Sequence, residues 1–497
     1  MRRLLLVGLG CLAALVVLAA AGIYWLLSGD GIRSALEHQA TAWLGQPVHV
    51  TSARVEFLPR LAIRLDGVTV GEPVQVTLSE VAVSTALRAL LGGRIADAEV
   101  RIRNSRLDLP LPFELPSGVA PESGATDGAT LAIAVESIRS IVLQDVTIAS
   151  RDQEIRVSAD SSLAGTTLHL QQFTAESGKT SIAAQGTIEL EPRVDATLEV
   201  NANRIDLDEL LALADAFSGS TSSGPPAARP TSSDTPPLIR AHVTAEGGTI
   251  GGVDVAQVVG DIQVEGDRAM LSPLTFQVFG GRFEGSFNAT LQDRMAVAIR
   301  SRLVGLNVAE LAAFGGSADT ISGTLAGQGS FTGSGRDFAE VLSGTRGTGT
   351  AEIVDGTIQR LGLVRTVVLF FGRPAPDAAA ATDAFSRMDL TFSLARQIFN
   401  AETFSLRSSD ADISGTGTLA VPTKALNGRF NLILSETLSA QAGTDLRRYT
   451  REGNRVVLPA TLGGTLEGPR LSIDAAAALR RGIQNEIGER LKGLFGR

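Results

Sequence analysis

Residues 61–70 read LAIRLDGVTV, and this stretch decides the fold class. Leu61, Ile63 and Leu65 alternate with less apolar neighbours, which is the period of a β-strand with one apolar and one polar face. The same alternation recurs at 100–103, 107–115, 295–299 and 430–434. Glycine- and Asx-rich turns separate these segments, as hairpins require. The sequence therefore predicts a mainly β protein built from antiparallel strands.

The N-terminus carries an uncharged apolar run from Leu4 to Leu27, directly after Arg2 and Arg3. As a helix with a rise of ~1.5 Å per residue, this run is long enough to cross the ~30 Å hydrocarbon layer of a bilayer. Basic residues in front of such a helix stay on the cytoplasmic side, so the chain after Leu27 is expected on the other side. We predict a retained, single-pass membrane anchor.

Two alternatives to the anchor stay open. A cleaved signal peptide would use the small residues 19–21 as its cleavage site, although the apolar run continues past them. A lipoprotein signal centred on Cys11, the only cysteine, fits less well because Gly8 stands where leucine is usual. Tyr24 and Trp25 favour the anchor, since they lie where interfacial aromatic residues are common.

One helix is predicted at each end of the β region. Asp30 can cap a short helix that stops before Gly45 and Pro47. In 475–497 the apolar residues recur every three or four positions behind Asp474, a candidate cap, which predicts an amphipathic helix. Basic residues flank its apolar stripe, so this helix either caps the end of the sheet or lies on a membrane surface.

An internal repeat is predicted from an ungapped offset of 101 residues, which places Phe173 on Leu274. Each copy reads strand, strand, strand and then a short helix, over 207–217 in the first copy and 308–314 in the second. Repeated supersecondary units that stack on one another build an elongated body.

Composition narrows the classes of function. The net charge of −9 and pI near 5.2 argue against a protein that binds nucleic acid through its phosphates. The four histidines lack the spacing of a metal pair. Residues 178–180 match the end of a phosphate-binding loop, but the earlier glycine is missing and a strand pattern follows. No hydrolase elbow or zinc-protease motif occurs, so we predict no enzyme and no cofactor.

Three stretches rich in Gly, Ser, Ala or Pro are interpreted as linkers, because such compositions bury little apolar area. These are 117–130, 218–237 and 373–384. The other predicted segments are 1–3, a cytoplasmic tip; 4–27, the anchor; 28–116, the N-terminal helix and strands; 131–217 and 238–372, two β-repeats; 385–474, a C-terminal β domain; and 475–497, the amphipathic helix.

The region behind the anchor resembles the N-terminal block of the AsmA family of bacterial envelope proteins. It reads LGQPVHV at 44–50, VEFLPRLAI at 55–63 and LDGVTVG at 65–71. These match the family's Gly-x-x-Val turn, its Pro-x-Leu strand and a strand that ends in glycine.

The far end of the chain is similar to the C-terminal AsmA domain. The similarity begins at Phe385 and includes NAE at 400–402, LRSS at 406–409 and ISGTG at 413–417. Residues 458–469 read LPATLGGTLEGP and resemble the family's terminal block, with a difference of one residue in spacing.

The resemblance implies an inner-membrane-anchored periplasmic protein related to bridge-like lipid-transfer proteins. Its transmembrane helix would be followed by an elongated, curved antiparallel β-sheet groove. Expected partners are the inner membrane, phospholipid acyl chains and an outer-membrane or periplasmic partner at the C-terminal end. A sheet with one apolar face and few helices to cover it fits this picture. The candidate groove-lining residues are Val100, Ile102, Leu107, Leu109, Val297, Ile299, Leu432 and Leu434.

Ordinary packing in a β core is the alternative for each of these eight residues. At the level of the whole protein, three functions stay open. The first is a groove that binds or conducts phospholipid for envelope and outer-membrane biogenesis. The second is a structural or assembly factor for outer-membrane proteins that moves no lipid, and the third is an exported enzyme.

Overall fold

The computed structural model describes residues 29–56, 61–85, 94–95, 97–111, 134–135, 138–218, 236–291, 294–336, 338–359, 361–370, 382–441, 451–452, 455–474, 476–477 and 480. The predicted anchor, with Leu4, Tyr24, Trp25 and Leu27, lies outside these residues, as does most of the predicted helix at 475–497. No helix within the described ranges has both the length and the apolar character needed to cross a membrane. The chain divides into two compact units, unit 1 (1–251) and unit 2 (252–497).

Unit 1 is mainly β, as predicted. In chain order it contains α1 (Gly29–Leu44), β1 (Val48–Glu56), β2 (Leu61–Val70), β3 (Val76–Thr85), β4 (Arg94–Ile95), β5 (Ala98–Leu109), β6 (Ala134–Val135), β7 (Ile138–Ser150), β8 (Gln153–Ala164), β9 (Thr167–Ser177), β10 (Thr180–Glu189), β11 (Asp195–Asp206), α2 (Leu207–Ser218) and β12 (Leu238–Ile250). Its sheet has the order β1-β2-β3-β5-β7-β8-β9-β10-β11-β12, while β4 and β6 pair separately.

The sheet is mostly antiparallel, as predicted, but two neighbouring strand pairs in it are parallel. They are β5 with β7 and β11 with β12. A parallel pair needs a long crossover, because the chain must return to the same end of the sheet. The predicted linkers 117–130 and 218–237 fall in these two connections. A long linker between strands was therefore a signal for a parallel pair.

Unit 2 is also mainly β. It contains β13 (Val253–Glu265), β14 (Arg268–Val278), β15 (Gly281–Leu291), β16 (Met295–Asn307), α3 (Val308–Phe314), β17 (Ile321–Gly335), α4 (Phe338–Ser343), β18 (Arg346–Gln359), α5 (Leu363–Phe370), β19 (Thr382–Ala395), β20 (Ile398–Arg407), β21 (Ala411–Ala420), β22 (Ala425–Leu434), α6 (Glu436–Gln441), β23 (Arg451–Glu452), β24 (Arg455–Thr465) and β25 (Gly468–Ile473). From β13 to β22 each strand pairs antiparallel with the next, and β24 then lies between β22 and β25.

The predicted N-terminal helix is present as α1. It begins at Gly29 rather than after Asp30 and ends before Gly45, which has the left-handed φ of +66° that closes many helices. Glu37 accepts a hydrogen bond from the Val50 amide at 2.7 Å. A side chain of α1 thus accepts a hydrogen bond from a backbone N–H of the edge strand β1. Covering an edge strand with a helix in this way is common, because it prevents pairing with other strands. At the other end, Asp474 accepts from the Ala477 amide at 2.9 Å, the hydrogen bond that a capping residue makes.

The predicted repeat extends to the pairing of individual residues. In the first copy Phe173 pairs with Ala184, and at the same offset of 101 Leu274 pairs with Gly285. Helices α2 and α3 begin 101 residues apart, each directly after its third strand. Matched register together with matched helix starts supports a true repeat over a chance alignment of alternating strands.

Four of the predicted groove residues lie on β5, namely Val100, Ile102, Leu107 and Leu109. Strict alternation would place the first two and the last two on opposite faces. Asn104 lies between them with a left-handed φ of +47°. The buried residues on its two sides are Ala98 and Ser105, one even and one odd. The irregular residue thus resets the alternation, and all four side chains share one face.

The densest core of unit 2 lies where β21, β22 and β24 meet helices α5 and α6. Leu432, Leu434 and Leu458 are each 0% exposed there. Arg455 closes one side of this core: its guanidinium donates to the carbonyls of Leu434 and Ile433 and binds Asp412 at 2.8 Å. The last predicted linker, 373–384, ends inside β19, which begins at Thr382.

Candidate functional site

A continuous line of apolar side chains crosses the sheet of unit 1. Because residues that pair across strands share a face, the pairing register identifies its members. We call this line apolar row 1: Ala53, Leu65, Val81, Ile102, Leu143, Ala159, Phe173, Ala184, Val200 and Val243. All of its members except Ala53 are partly exposed rather than buried. Strand alternation alone makes such a row, but packing normally covers it.

Unit 2 has a row of the same kind, which we call apolar row 2. Its members are Ile262, Leu271, Phe287, Ile299, Phe331, Gly347, Leu394, Phe399, Leu419 and Leu426. Each of them is partly exposed. Apolar surface that a fold leaves uncovered is where protein partners, membranes or apolar ligands bind, or where chains aggregate.

The predicted residues of unit 1 fall on or beside apolar row 1. Ile102 is a member, and Val100 lies two residues away on the same face, paired with Val83 and Ile141. Leu107 packs against the cluster under α1, and Leu109 pairs with Ser150 at the end of the strand. The register therefore brings these four residues into one apolar surface.

The predicted residues of unit 2 divide into two groups. Ile299 is a member of apolar row 2, whereas Val297 is 7% exposed and packs against Val341 of α4. Leu432 and Leu434 are fully buried in the core described above. The packing alternative therefore describes these last two positions, since a surface ligand cannot reach them in this structure.

Apolar row 2 runs into a cavity of about 280 Å³. Phe399, Leu419 and Leu426 belong to both. Most of the other lining side chains are apolar, and they come from β17 to β22, β24, β25 and the segments after β18 and β24: Ile321, Ile358, Leu361, Met388, Leu390, Ala401, Phe404, Leu406, Ile413, Phe430, Leu462, Leu466, Pro469 and Leu471. Thr320, Thr418 and Asn427 are its polar members, and Gly417 completes it. None of the lining residues carries a charge.

Phenylalanine rings lying over glycines shape this apolar face. A Cβ added at Gly349 would lie 2.6 Å from Cζ of Phe392, and one added at Gly329 would lie 2.7 Å from Cε2 of Phe331. The ring centroid of Phe392 is 4.4 Å from that of Phe399, so the rings form a stacked series. Flat rings over residues without side chains leave open space above the sheet, which bulky side chains would fill.

One charged cluster borders the cavity. The Lys424 ammonium donates to the Gly316 carbonyl and to Glu467, each at 2.7 Å. The Lys424 carbonyl in turn accepts from the amide of Leu466, which lines the cavity. This cluster ties the turn after β21 to the loop after α3 and to the turn after β24. These contacts fix the three segments relative to one another beside the cavity.

The alternation of apolar residues in the sequence did not identify most of the residues that line this cavity. Phe399 and Leu419 follow the strand pattern, but their register with Leu394 and Leu426 depends on pairing that the sequence does not show. The recurring Gly and Phe of β17 to β22 were the available signal. Among the described residues, no group of three His, Cys, Asp or Glu side chains is placed to hold a metal ion.

The fold and this site define a class: a mainly β protein whose sheets carry partly exposed apolar rows, one of which ends in an uncharged cavity. Comparison with known proteins adds no relative. No family model, no curated protein and no solved structure matches the chain.

Proposed function

We propose that the chain binds or conducts phospholipid through its apolar rows, with an acyl chain occupying the cavity of unit 2. In this proposal it is an AsmA-like protein that serves envelope or outer-membrane biogenesis. The uncharged run from Leu4 to Leu27 anchors it in the bacterial inner membrane, and the rest lies in the periplasm. Its partners are then the inner membrane, phospholipid and an envelope partner near the C-terminal end, with no enzymatic step.

The observation that carries the proposal is the partial exposure of apolar row 2 where it meets the cavity. If the row belonged to the core, its side chains would be fully buried, as those of Leu432 and Leu434 are. The uncharged lining favours an aliphatic chain over a polar metabolite, because a polar group would lose its water without replacement hydrogen bonds.

The size of the cavity suits part of an acyl chain. An apolar cavity of about 150 Å³ holds one benzene molecule. By that comparison, 280 Å³ accommodates on the order of ten carbon atoms. At ~0.8 kcal/mol per buried methylene, such a segment is stabilised strongly enough to leave the bilayer in part.

The direct test is photo-crosslinking to lipid in intact membranes. A benzophenone amino acid replaces Leu419, which belongs to apolar row 2 and also lines the cavity. The full chain is expressed in cells whose phospholipid is radiolabelled. The matched control places it at Thr416, three residues earlier on β21 and exposed on the opposite face. We expect labelled lipid on the protein from the first position and background labelling from the second.

Equal labelling at the two positions in folded protein would overturn the proposal, because contact with bulk membrane does not distinguish the faces. Absence of label at both positions would do the same and would favour the assembly-factor alternative.

A second test narrows the cavity. Ala401 lines it, so Ala401→Trp is expected to fill space that an acyl chain would use. If the ring displaces about three methylenes, binding weakens by ~2.4 kcal/mol, or roughly 50-fold. Thr416→Trp adds the same side chain on the other face and should leave binding of a fluorescent fatty acid unchanged. An unchanged affinity in folded Ala401→Trp protein would contradict occupancy of the cavity.

The orientation can be tested with thiol labelling, because Cys11 is the only cysteine. In a Cys11→Ala background, Val421→Cys introduces a single thiol at a position that is 51% exposed. A membrane-impermeant maleimide should label it in spheroplasts without lysis. Labelling only after lysis would contradict the proposed periplasmic location.

A further inference from the structure

The polar face of unit 2 has two neighbouring cavities of its own, of about 580 Å³ and 440 Å³. Both are lined by Gln328, Thr350 and Thr391, so they adjoin each other. Arg302 lines the first cavity and Arg300 lines the second. They lie on the side of β16 to β20 opposite to apolar row 2.

The pairing register explains this arrangement. Arg302 pairs with Gln328, which pairs with Thr350, and the line continues through Thr391 to Thr403. A second line starts at Arg300 and passes through Ser330 and Thr348. Across β17 and the strands beyond it, each arginine is thus followed by a line of amide and hydroxyl side chains. Since they are two residues apart on one strand, their Cα atoms are separated by about 7 Å.

Among the described residues, no acidic side chain contacts the guanidinium of either arginine. Neither Arg300 nor Arg302 has an ion pair or a side-chain hydrogen bond within the described ranges. Glu284 pairs with Arg302 across the strands, but no ion pair joins their side chains.

The first cavity also has two carboxylates, Glu352 and Asp389, but both are bound by Arg387, each at 2.8 Å. Hydrogen bonding from this guanidinium lowers the pKa of Asp389. Both acids are therefore held by Arg387, and neither is in an ion pair with Arg300 or Arg302.

Arginine is the side chain best suited to oxyanions, because its planar guanidinium donates two parallel hydrogen bonds. Hydroxyl groups nearby add further donors. We propose that these two cavities form a binding site for a soluble ligand that carries two oxyanion groups, such as a bisphosphorylated small molecule. One oxyanion lies at Arg300 and the other at Arg302. Both arginines are exposed, and the carboxylates of Glu284, Glu352 and Asp389 lie on the same face. These carboxylates would repel an anionic membrane surface, which favours a small ligand that contacts only the two guanidiniums.

The test measures binding of α,ω-alkanediphosphonates of increasing spacer length to the full chain in detergent, by isothermal titration at fixed ionic strength. Joining two weakly bound groups raises their apparent affinity, here by about 10²-fold over inorganic phosphate for the spacer that fits. We expect affinity to pass through a maximum with spacer length. Arg300→Gln or Arg302→Gln should reduce that best affinity to about the level of phosphate.

The matched control is Arg282→Gln, which removes an exposed arginine on the same face but outside both cavities. It should leave the best affinity unchanged. Equal loss in Arg282→Gln, or equal affinity for every spacer and for phosphate, would overturn the proposal. Binding to vesicles of anionic lipid without binding of any diphosphonate would also overturn it and would identify a membrane contact instead.

This site is independent of the proposed lipid function. Circular dichroism first establishes that the arginine variants are folded. Lipid crosslinking from position 419 should be the same in Arg302→Gln protein as in the parent, so failure of either proposal is recognised separately.

Discussion

Truncation of one buried leucine distinguishes core packing from ligand contact. Leu432 lies on β22 between Ile413 of β21 and Leu458 of β24, and it is 0% exposed. We predict that Leu432→Ala destabilises unit 2 strongly and leaves the lipid-binding surface intact in the protein that remains folded.

The magnitude follows from what the substitution removes. Loss of three carbon groups at ~0.8 kcal/mol each gives roughly 2.4 kcal/mol, and the cavity that remains adds to it. Both neighbouring strands are held by hydrogen-bonded pairing, so the site cannot collapse around the smaller side chain. We therefore expect a loss of about 4 kcal/mol in the free energy of unfolding, within the usual range for buried leucine.

Hydrogen exchange with mass spectrometry is the suitable assay, because it reports each unit separately. Both tryptophans, Trp25 and Trp43, precede unit 2, so their fluorescence would not report it directly. Peptides from β20 to β24 should exchange about 10³-fold faster where exchange requires unfolding of the unit. Leu432→Met, which keeps the volume, should cost less than about 1.5 kcal/mol. A loss below about 1 kcal/mol in Leu432→Ala would refute the assignment of this residue to a packed core.

Three further predictions concern unit 2. Gly349→Val should cost about 1–3 kcal/mol of stability in urea denaturation, because its Cβ would lie 2.6 Å from both Cζ of Phe392 and the Gln328 carbonyl oxygen. Adding Phe392→Ala removes only the first of these contacts and should recover part of the loss; strict additivity of the two substitutions would argue against the contact with Phe392. Arg455→Met should lower the free energy of unfolding by about 2–4 kcal/mol, since it removes the guanidinium that donates to two carbonyls and a carboxylate. Arg455→Lys should restore little of this stability, and full rescue by lysine would show that charge alone matters. Asp389→Asn should cost about 0.2–1 kcal/mol near neutral pH, because the hydrogen bond from Arg387 lowers the pKa of Asp389 below its ordinary 3.8. The folded state holds this carboxyl's proton less tightly than the unfolded state does, so the contribution is present above about pH 3.8 and disappears below it; denaturation curves of the two proteins should converge in acid, and a constant difference would contradict the linkage.

The strand content was predictable because apolar alternation is a direct signal of a sheet with two unlike faces. The segment 61–70 is strand β2 from end to end. The repeat was predictable for the same reason, since the offset that matches Phe173 to Leu274 also matches their cross-strand partners.

Other features depended on information that alternation lacks. The parallel pair of β11 with β12 depends on the end of the sheet to which the long connection returns: the linker made a crossover possible, but alternation does not show at which end the next strand begins. The choice between core and open surface depends on which elements cover a strand. Ile299 and Leu434 both follow the same alternation, but only Leu434 is sealed by its neighbours. Whether a strand residue is buried therefore depends on contacts with elements that are distant from it in the sequence.

The same rule of pairing gives each of these sheets two independent surfaces. Leu419 and Thr416 are three residues apart on one strand, but the first lines an apolar cavity and the second is exposed on the polar face. A left-handed strand residue such as Asn104 preserves this separation, because it reverses the alternation where the apolar side chains change from even to odd numbers, while the pairing with β3 and β7 keeps its register. A substitution on one face therefore has little direct effect on the chemistry of the other. For this reason lipid contact at position 419 and oxyanion binding at Arg300 can be tested in the same protein, each with the other as its folding control.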